Sequence, residues 1–272
     1  MEKRYLTPQE TVRSIVENGC RILTQSRSTT FVLSLLAGLY IGCGAQLATV
    51  VTQDAAHYAG RGVAALLGGS VFSLGLMLVV ICGAELFTGN SLLASAALHG
   101  RIPWGKLLEN WWIVLLGNLL GSLLFAELMF ETRLWNSGDV ANHAIAIAKA
   151  KCQLTMTAGL VRGILCNWLV CLAVFMATAA RDVAGKILSC YAPIMAFVAS
   201  GFEHSVANMY FIPTGLFLES ATGQDVPGLS WTNFFIANLL PVTLGNIIGG
   251  VIFVACAYWY VHLSTEKTCS ID

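Results

Sequence analysis

The sequence predicts an all-α membrane protein of six spans, arranged as two inverted repeats of three helices. Hydrophobic residues make up 56% of the chain and charged residues 11%, whereas a soluble domain carries about 25% charged residues. The phrase G-x-E-x4-N occurs twice, in GAELFTGN from Gly83 and in GFEHSVAN from Gly201. Each is followed by a second shared phrase, GNLLG from Gly117 and GNIIG from Gly245. This pattern indicates a tandem duplication within apolar sequence.

The first element is a helix that lies outside the membrane. Residues 1–28 are polar and mixed in charge, and they lack the apolar core and cleavage site of a signal peptide. Thr7 suits the N-cap, Pro8 the first turn, and Glu10 completes a capping box. We therefore expect residues 1–28 to form a cytoplasmic amphipathic helix.

The spans follow from apolar runs, since a membrane helix needs about 20 apolar residues. The candidate runs are 30–52, 64–98, 111–131, 156–180, 187–218 and 233–262. The second and fifth runs are too long for one straight crossing, and both contain the G-x-E phrase. Each is therefore predicted to form two half-helices around a non-helical break. Three spans per repeat insert the second repeat upside down relative to the first.

Charge outside the spans predicts the orientation. With the N-terminus inside, ten Lys and Arg residues fall in the cytoplasm and four outside, which favours cytoplasmic termini in an inner or plasma membrane. The predicted units are then a first repeat at 29–131, an external connection at 132–155, a second repeat at 156–262 and a cytoplasmic tail at 263–272. The lipid bilayer is the surrounding solvent.

The breaks are the first candidate sites. Half-helices that begin near the middle of the membrane point unpaired N–H groups and positive dipole ends at one another. That geometry favours an anion or a polar neutral solute. The alternative is a pair of kinked helices buried in a bundle, since non-helical backbone at this depth needs surrounding protein or a water-filled cavity.

His204 in the second break is the only histidine predicted deep in the membrane. An ionisable group there is a functional candidate, and imidazole can donate, accept or exchange a proton near neutral pH. The Thr88 hydroxyl in the first break is expected to face it across a pore. The alternatives are a histidine held by a backbone carbonyl and a threonine bonded to its own helix.

The two carboxylates, Glu85 and Glu203, occupy matched positions and would repel an anion if they faced its path. We interpret them as supports for the breaks, either accepting freed N–H groups or pairing with Asn118 and Asn246. Catalysis is the less favoured alternative. The complete set of predicted break supports is Glu85, Asn90, Asn118, Glu203, Asn208 and Asn246.

The fourth span and the segment before it carry two more polar candidates. Asn167 either bridges helices or lines a vestibule, and Lys151 lies at the outer mouth if the fourth helix begins near it. Bulky apolar residues that flank these groups are candidates for the narrow parts of a selective pore. They are Phe72, Leu76, Leu86, Val170 and Phe197.

Several groups of partners are not expected. Nine cysteines are scattered, mostly in apolar runs, and no Cys-x2-Cys pair or His/Cys cluster occurs. This predicts buried thiols without a disulfide framework, a metal site or a cofactor. The net charge of zero gives no indication of a nucleic-acid partner.

Longer motifs carry a family resemblance. GAELFTGN, the lysine sixteen residues before Asn167, CNWLVCLAVFMA, ASGFEHSVANMYFIP and PVTLGNIIGG occur in the order expected for the formate/nitrite transporter family, which the whole chain resembles. The resemblance implies an aquaporin-like protomer in a homopentamer, with a pore in each protomer. It implies pore positions for Thr88, His204, Asn167 and Lys151, and constrictions at the five apolar residues above.

The resulting prediction is a channel or proton-coupled transporter for small monovalent anions, with formate the leading substrate. Nitrite, hydrosulfide, acetate and lactate remain alternatives within the family. A neutral-solute channel of the aquaporin kind is a further alternative, but no paired Asn-Pro-Ala motif stands at the breaks. An enzyme using Glu203 and His204 would need a nucleophile or metal, so the chain is not expected to be an enzyme.

Overall fold

The computed structural model describes residues 5–135 and 138–265. These residues form helices and connecting loops, and the described chain contains no β-strand beyond an isolated bridge between Tyr5 and Ala180. Five helices are long and apolar enough to cross a membrane. The chain is therefore an all-α protein with several potential spans, in agreement with the class that its composition predicts.

Nine principal helices organise the described residues. They are α1 (Pro8–Leu23), α2 (Arg27–Thr52), α3 (Arg61–Cys82), α4 (Trp104–Glu131), α5 (Asp139–Cys152), α6 (Met156–Ala179), α7 (Val183–Ala199), α8 (Ser205–Thr222) and α9 (Trp231–Leu263). The five candidate spans are α2, α3, α4, α6 and α9. Shorter turns follow α2 and the first break: Ala55–Ala59, a 3₁₀ turn at Gly89–Leu93, and Ala94–Leu98.

Helix α1 begins as its capping signals predict. The Thr7 N–H donates to the Glu10 carboxylate at 2.8 Å, and the Glu10 N–H donates to the Thr7 hydroxyl at 3.4 Å. This reciprocal pair confirms the predicted capping box. The buried face of α1 packs against α6, the end of α9 and the Ala94–Leu98 turn. Residues 1–4 of the predicted N-terminal unit, and 266–272 of the predicted tail, lie outside the described residues.

Both long apolar runs are interrupted where the repeated phrase predicts. Helix α3 ends at Cys82, and α7 and α8 are separated by residues 200–204. The predicted connection at 132–155 contains a helix, α5, of 14 residues. The fourth span begins at Met156, so Lys151 lies in the last turn of α5 and not at the start of that span.

The GNLLG and GNIIG phrases let helices approach closely. A side chain at Gly121 would collide with the Leu35 carbonyl of α2, and one at Gly245 would collide with the Leu160 carbonyl of α6. Helix α2 accordingly packs along α4, and α6 packs along α9. Small residues at such contacts are typical of helix pairs in membranes.

The element order repeats along the chain. In each half a helix outside the candidate spans comes first, then a span, a helix ending at the G-x-E phrase, a break and another span. Helix α5 in the second half thus occupies the place of α1 in the first. Each of these helices ends just before the first span of its own half and carries a basic residue in its last turn, Arg21 in α1 and Lys151 in α5.

Candidate functional site

The two breaks begin with the same backbone geometry. Gly83 and Gly201 adopt left-handed conformations, with φ of +80° and +72°. The N–H of the following residue then reaches back five positions, from Ala84 to the Val79 carbonyl at 2.9 Å and from Phe202 to the Phe197 carbonyl at 3.1 Å. Glycine adopts this conformation without the penalty that a side chain brings. The two glycines therefore set where each helix stops.

Asn118, from α4, satisfies the main chain of the first break. Its amide nitrogen donates to the carbonyls of Ser34 and Glu85 at 2.7 and 3.0 Å, and its oxygen accepts the Phe87 N–H at 2.8 Å. Asn118 is fully buried. Two of these main-chain groups, the Glu85 carbonyl and the Phe87 N–H, lie in the break and are thereby paired, as buried backbone requires.

Asn246, from α9, does the same in the second break. Its amide nitrogen donates to the carbonyls of Gly163 and Glu203 at 2.8 and 3.0 Å, and its oxygen accepts the Ser205 N–H at 2.9 Å. The correspondence with Asn118 extends to every one of these contacts. One framework therefore supports both breaks.

The carboxylates are held by other side chains. Asn90 donates to Glu85 at 2.7 Å and to Asn110 at 3.1 Å. The interpretation that the carboxylates accept freed N–H groups or pair with Asn118 is therefore wrong in its contacts. Asn118 accepts the freed Phe87 N–H, and its contact with Glu85 is with the main-chain carbonyl and not with the carboxylate. An asparagine amide can pair with both the N–H and C=O groups of a break, because it donates and accepts, whereas an ionised carboxylate only accepts.

Glu203 has the equivalent partner and one more. Asn208 donates to it at 2.7 Å and also to Asn238 at 2.7 Å. In addition, Lys151 Nζ lies 3.0 and 3.1 Å from the two carboxylate oxygens. The two side chains of this ion pair are only 16% and 6% exposed. The Lys151 ammonium also lies 5.4 Å from the centre of the Phe211 ring, within cation–π range.

Thr88 and His204 meet between the two breaks. The Thr88 Oγ1 and His204 Nε2 atoms are 2.9 Å apart, and both residues are buried. His204 is also the N-cap of α8, because its Nδ1 accepts the Ala207 N–H at 3.0 Å. A ring that accepts at Nδ1 is neutral and carries its proton on Nε2. His204 is therefore the donor and Thr88 the acceptor in this arrangement.

Asn167 lies beside this pair and faces main-chain groups. Its amide nitrogen lies 3.1 Å from the Thr88 carbonyl, 3.2 Å from the Ser91 hydroxyl and 2.7 Å from the Asn246 carbonyl. It lines neither of the two cavities described below. These contacts of the amide nitrogen are those of a helix bridge, whereas the buried amide oxygen has no hydrogen-bond partner among the described residues, so the pore position stays a prediction.

A first cavity, the Lys151 cavity, has a volume of about 150 Å³. Its polar wall contains Lys151, Glu203 and His204, and its apolar wall contains Phe72 and Phe197. The rings of Phe72 and Phe197 meet edge to face with centres 5.9 Å apart, and Phe197 stacks on His204 at 5.9 Å. The cavity therefore brings a cation, a carboxylate and an imidazole ring together with a pair of packed aromatic rings.

A second cavity, the Arg21 cavity, has a volume of about 300 Å³. Leu76, Leu86 and Glu85 line it, together with Arg21 from α1 and Lys186 from α7. Glu85 forms no ion pair with a described residue here, in contrast to Glu203. The five predicted constriction residues therefore do not line one common cavity. Phe72 and Phe197 belong to the Lys151 cavity, Leu76 and Leu86 belong to this one, and Val170 is buried without lining either.

Sequence reasoning missed Phe211, Arg21 and the pair Asn110 and Asn238. The two asparagines had a usable signal, because each precedes the asparagine of GNLLG or GNIIG by eight positions. That spacing is about two helical turns and places both side chains on one face of the span. Phe211 and Arg21 had no comparable signal, since neither belongs to a repeated phrase.

Comparison with known proteins agrees with this geometry. The model of the family described as formate/nitrite transporter matches residues 9–260. The chain belongs to the formate/nitrite transporter family. This membership makes it a multi-pass membrane protein of a family of transporters, consistent with its apolar helices.

Individual relatives cover almost the same extent. A probable formate transporter of Methanothermobacter thermautotrophicus is 46% identical over 250 residues, which are 85% of this chain and 88% of that protein. The formate channel FocA of Escherichia coli K12 is 39% identical over 279 residues, 95% of each chain. A solved pentameric formate channel with formate bound matches with a TM-score of 0.77 and 39% identity, over 87% of this chain and 98% of that one.

A second solved structure, an ion channel of the FNT family, has a TM-score of 0.83 and 33% identity and covers 92% of this chain and 98% of that one. The fold of the described residues is therefore shared with channels of known structure.

Proposed function

We propose that this protein moves small monovalent anions across a membrane as a channel or proton-coupled transporter, with formate as the leading substrate. The Lys151 cavity carries the proposal, because it places a cation and a neutral imidazole N–H at the edge of an aromatic closure. The formate channels among the relatives favour formate over nitrite, hydrosulfide, acetate and lactate.

The mechanism follows from the opposed walls of this cavity. Lys151 offers a cation to an anion, and its bond to Glu203 holds the ammonium in place. The rings of Phe72 and Phe197 cannot solvate a charge, and moving a bare charge through an apolar constriction costs several kcal/mol or more. Formate that takes up a proton from the water on its side of the rings becomes neutral formic acid, which removes most of this barrier. Formic acid gives the proton back to water on the other side.

His204 serves this passage best as a hydrogen-bond donor. Its Nε2–H points at Thr88, so a substrate oxygen that reaches the ring replaces the Thr88 acceptor. A relay would protonate Nδ1 while Nε2 gives up its proton, and Nδ1 is occupied by the Ala207 N–H. Since a relay would break the cap of α8, the geometry supports proton transfer elsewhere in the cavity.

The finer architecture belongs to the same proposal. Six spans arise when α7, the break and α8 together make the fifth crossing, which adds to the five spans that single helices provide. The matched contacts of Asn118 and Asn246 support two inverted repeats of the aquaporin-like kind. The loops and ends on the side of the termini carry more Lys and Arg than those on the other side, which supports cytoplasmic termini in an inner membrane. The pentameric relative supports a homopentamer with one pore per protomer.

The test is uptake into proteoliposomes that contain the purified protein. Formate, nitrite, hydrosulfide and acetate are compared singly and in competition across external pH, with glycerol as the neutral solute and empty liposomes as the control. We expect formate to enter fastest and to compete best, with faster entry as the external pH falls. Entry of glycerol without formate would instead identify a neutral-solute channel and overturn the proposal.

A further inference from the structure

Two charged side chains within the candidate spans face outwards. Glu127 on α4 and Arg162 on α6 are both exposed and more than one turn from either helix end. Neither side chain forms an ion pair or hydrogen bond with another described residue, although the Arg162 carbonyl accepts the Glu203 N–H at 3.3 Å. By contrast, Glu109 of α4 is bonded to Arg27 and Lys106. An exposed charge inside a span is costly in lipid, so a partner is expected.

The two side chains lie at similar depth. Helix α4 ends at Glu131 and α6 begins at Met156, and the segment between them contains no candidate span. These two ends therefore stand at the same membrane surface. Glu127 precedes its end by four residues and Arg162 follows its start by six, which at about 1.5 Å per residue gives depths of about 6 and 9 Å. Side chains of this length can meet across such a difference.

They stand on different faces of the protein. Helix α4 packs mainly against α2 and α8, whereas α6 packs mainly against α7 and α9. A ring of identical subunits joins two different faces of neighbouring copies, because its contacts are head to tail. Opposite charges on two such faces, at matched depth, are complementary in that arrangement.

We propose that Arg162 of one protomer pairs with Glu127 of the adjacent copy inside the membrane, and that this ion pair fixes the register of neighbouring subunits. The inference rests on the oligomeric assembly proposed above. A lipid phosphate would provide a partner for Arg162 alone, since it would repel Glu127. A second copy of the chain satisfies both charges at once.

The first test is a charge-reversal cycle. The fraction of oligomer is measured by native electrophoresis and mass photometry as detergent concentration rises, for the variants Arg162→Glu, Glu127→Arg and their combination. We expect each single reversal to weaken association by about tenfold or more, and the double reversal to restore most of the loss, because like charges repel and swapped charges attract. Arg101→Glu, in an exposed loop, is the matched control and should leave assembly unchanged.

The second test does not depend on how well the reversal variants fold. Two differently tagged chains, one with Arg162→Cys and one with Glu127→Cys, are co-expressed with the exposed Cys82 replaced by serine. A short thiol-reactive crosslinker should join unlike chains into dimers. Either variant expressed alone should give no such product.

The outcomes separate the pair from the assembly. Crosslinking between unlike chains together with rescue by the double reversal supports the pair. A stable oligomer without that crosslink, in which the reversals act additively, overturns the pair and leaves the proposed transport function intact. A wild-type protein that is monomeric in detergent and in liposomes overturns both the pair and the proposed pentamer.

Discussion

The two G-x-E-x4-N phrases, residues 83–90 and 201–208, form breaks that share a framework but differ in the side chains that it holds. The glycine, glutamate and asparagine positions match, and so do the contacts from Asn118 and Asn246. Three positions after the glycine, however, the first break has Leu86 and the second has His204. The backbone requirement was therefore duplicated, whereas the polar chemistry is present in one copy.

This difference also changes the helix that follows. His204 caps α8, which begins directly at Ser205 and continues for 18 residues. Leu86 has no acceptor to offer, and the first break continues as a 3₁₀ turn before a helix of 5 residues from Ala94. A side-chain cap stabilises a helix start by about 1 kcal/mol. The histidine thus caps a helix in addition to its proposed contact with the substrate, and the two His204 variants below separate these roles.

The largest expected effect concerns the orientation of the two halves. Asp54 and Arg181 are exposed and follow the first span of their respective halves. If the halves are inverted, Asp54→Cys should react fully with an impermeant thiol reagent added outside, and Arg181→Cys only after permeabilisation. The reactive native cysteines are first replaced by serine. Labelling of both sites from the same side would refute the inverted arrangement.

Because the two breaks share a framework, Asn118→Leu and Asn246→Leu should lower the stability of the protein by similar amounts. Each change removes three buried hydrogen bonds, and each group left unpaired costs about 1–3 kcal/mol. We expect each variant to lose several kcal/mol of stability, seen as a lower Tm in detergent.

Asn142→Ala, at an exposed position, is the control and should change the Tm little. A large loss for one asparagine and none for the other would show that the two breaks are not equivalent.

The difference between the breaks predicts that transport depends on His204. His204→Leu gives the second break the residue of the first and removes the donor. Formate uptake should fall by about tenfold to a hundredfold, the equivalent of one hydrogen bond to a charged or partly charged group. The oligomer should still assemble.

His204→Asn tests the role of the ring directly. Asparagine keeps a donor and is a good N-cap, but it cannot relay protons. If His204 only donates a hydrogen bond, uptake and its proton coupling persist, measured as internal pH alongside formate entry. Loss of coupling in His204→Asn would restore the relay mechanism, and normal uptake by His204→Leu would make the histidine structural.

The ion pair of the second half predicts a smaller effect. Lys151→Ala removes the cation and leaves Glu203 buried without its partner, so uptake at low formate concentration should fall several-fold. The loss should shrink at high ionic strength.

Two further variants distinguish the loss of attraction between Lys151 and the anion from the effect of leaving the Glu203 carboxylate unpaired. Lys151→Ala combined with Glu203→Gln should recover part of the loss. Arg21→Ala, in the other cavity, should cost less than Lys151→Ala. An equal loss for Arg21→Ala would mean that both mouths of the path concentrate the anion.

The smallest expected effect concerns the two helices outside the spans. The segment just before α1 joins α6 through the main chain, because the Leu6 N–H lies 2.9 Å from the Ala179 carbonyl, whereas α5 joins α2 through His143 and Thr52 at 2.9 Å. Partial burial lowers the pKa of His143 below its ordinary value. Folding therefore favours the neutral ring, and this contribution to stability is present above the unfolded-state pKa, about 6.5, and is lost as pH falls below it.

We accordingly expect Tm to decline slightly between about pH 7 and pH 5, because an unperturbed histidine titrates in that range. The decline should be smaller in His143→Gln. An identical pH profile for the variant would assign the decline to other groups.

Local signals in the sequence were sufficient for the outline of the fold. The capping box of Thr7 and Glu10 and the helix ends at the two G-x-E phrases depend on residues close together in the chain, so the sequence alone predicts them. The left-handed turns at the two glycines and the close helix contacts at GNLLG and GNIIG were not predicted, although glycines in apolar runs are a signal for both. Even the meeting of Thr88 with His204 was expected, because duplicated breaks must face each other.

The tertiary structure decided which groups bond to which. Phe87 and Ser205 donate to amides 31 and 41 positions away, and Lys151 reaches a carboxylate 52 positions away. At such separations the partner is selected by how whole helices pack. The periodicity of the sequence does not predict which residue becomes the partner. For the same reason the sequence could suggest Asn167 for the vestibule, while the fold turns its amide to the main chain of two other segments.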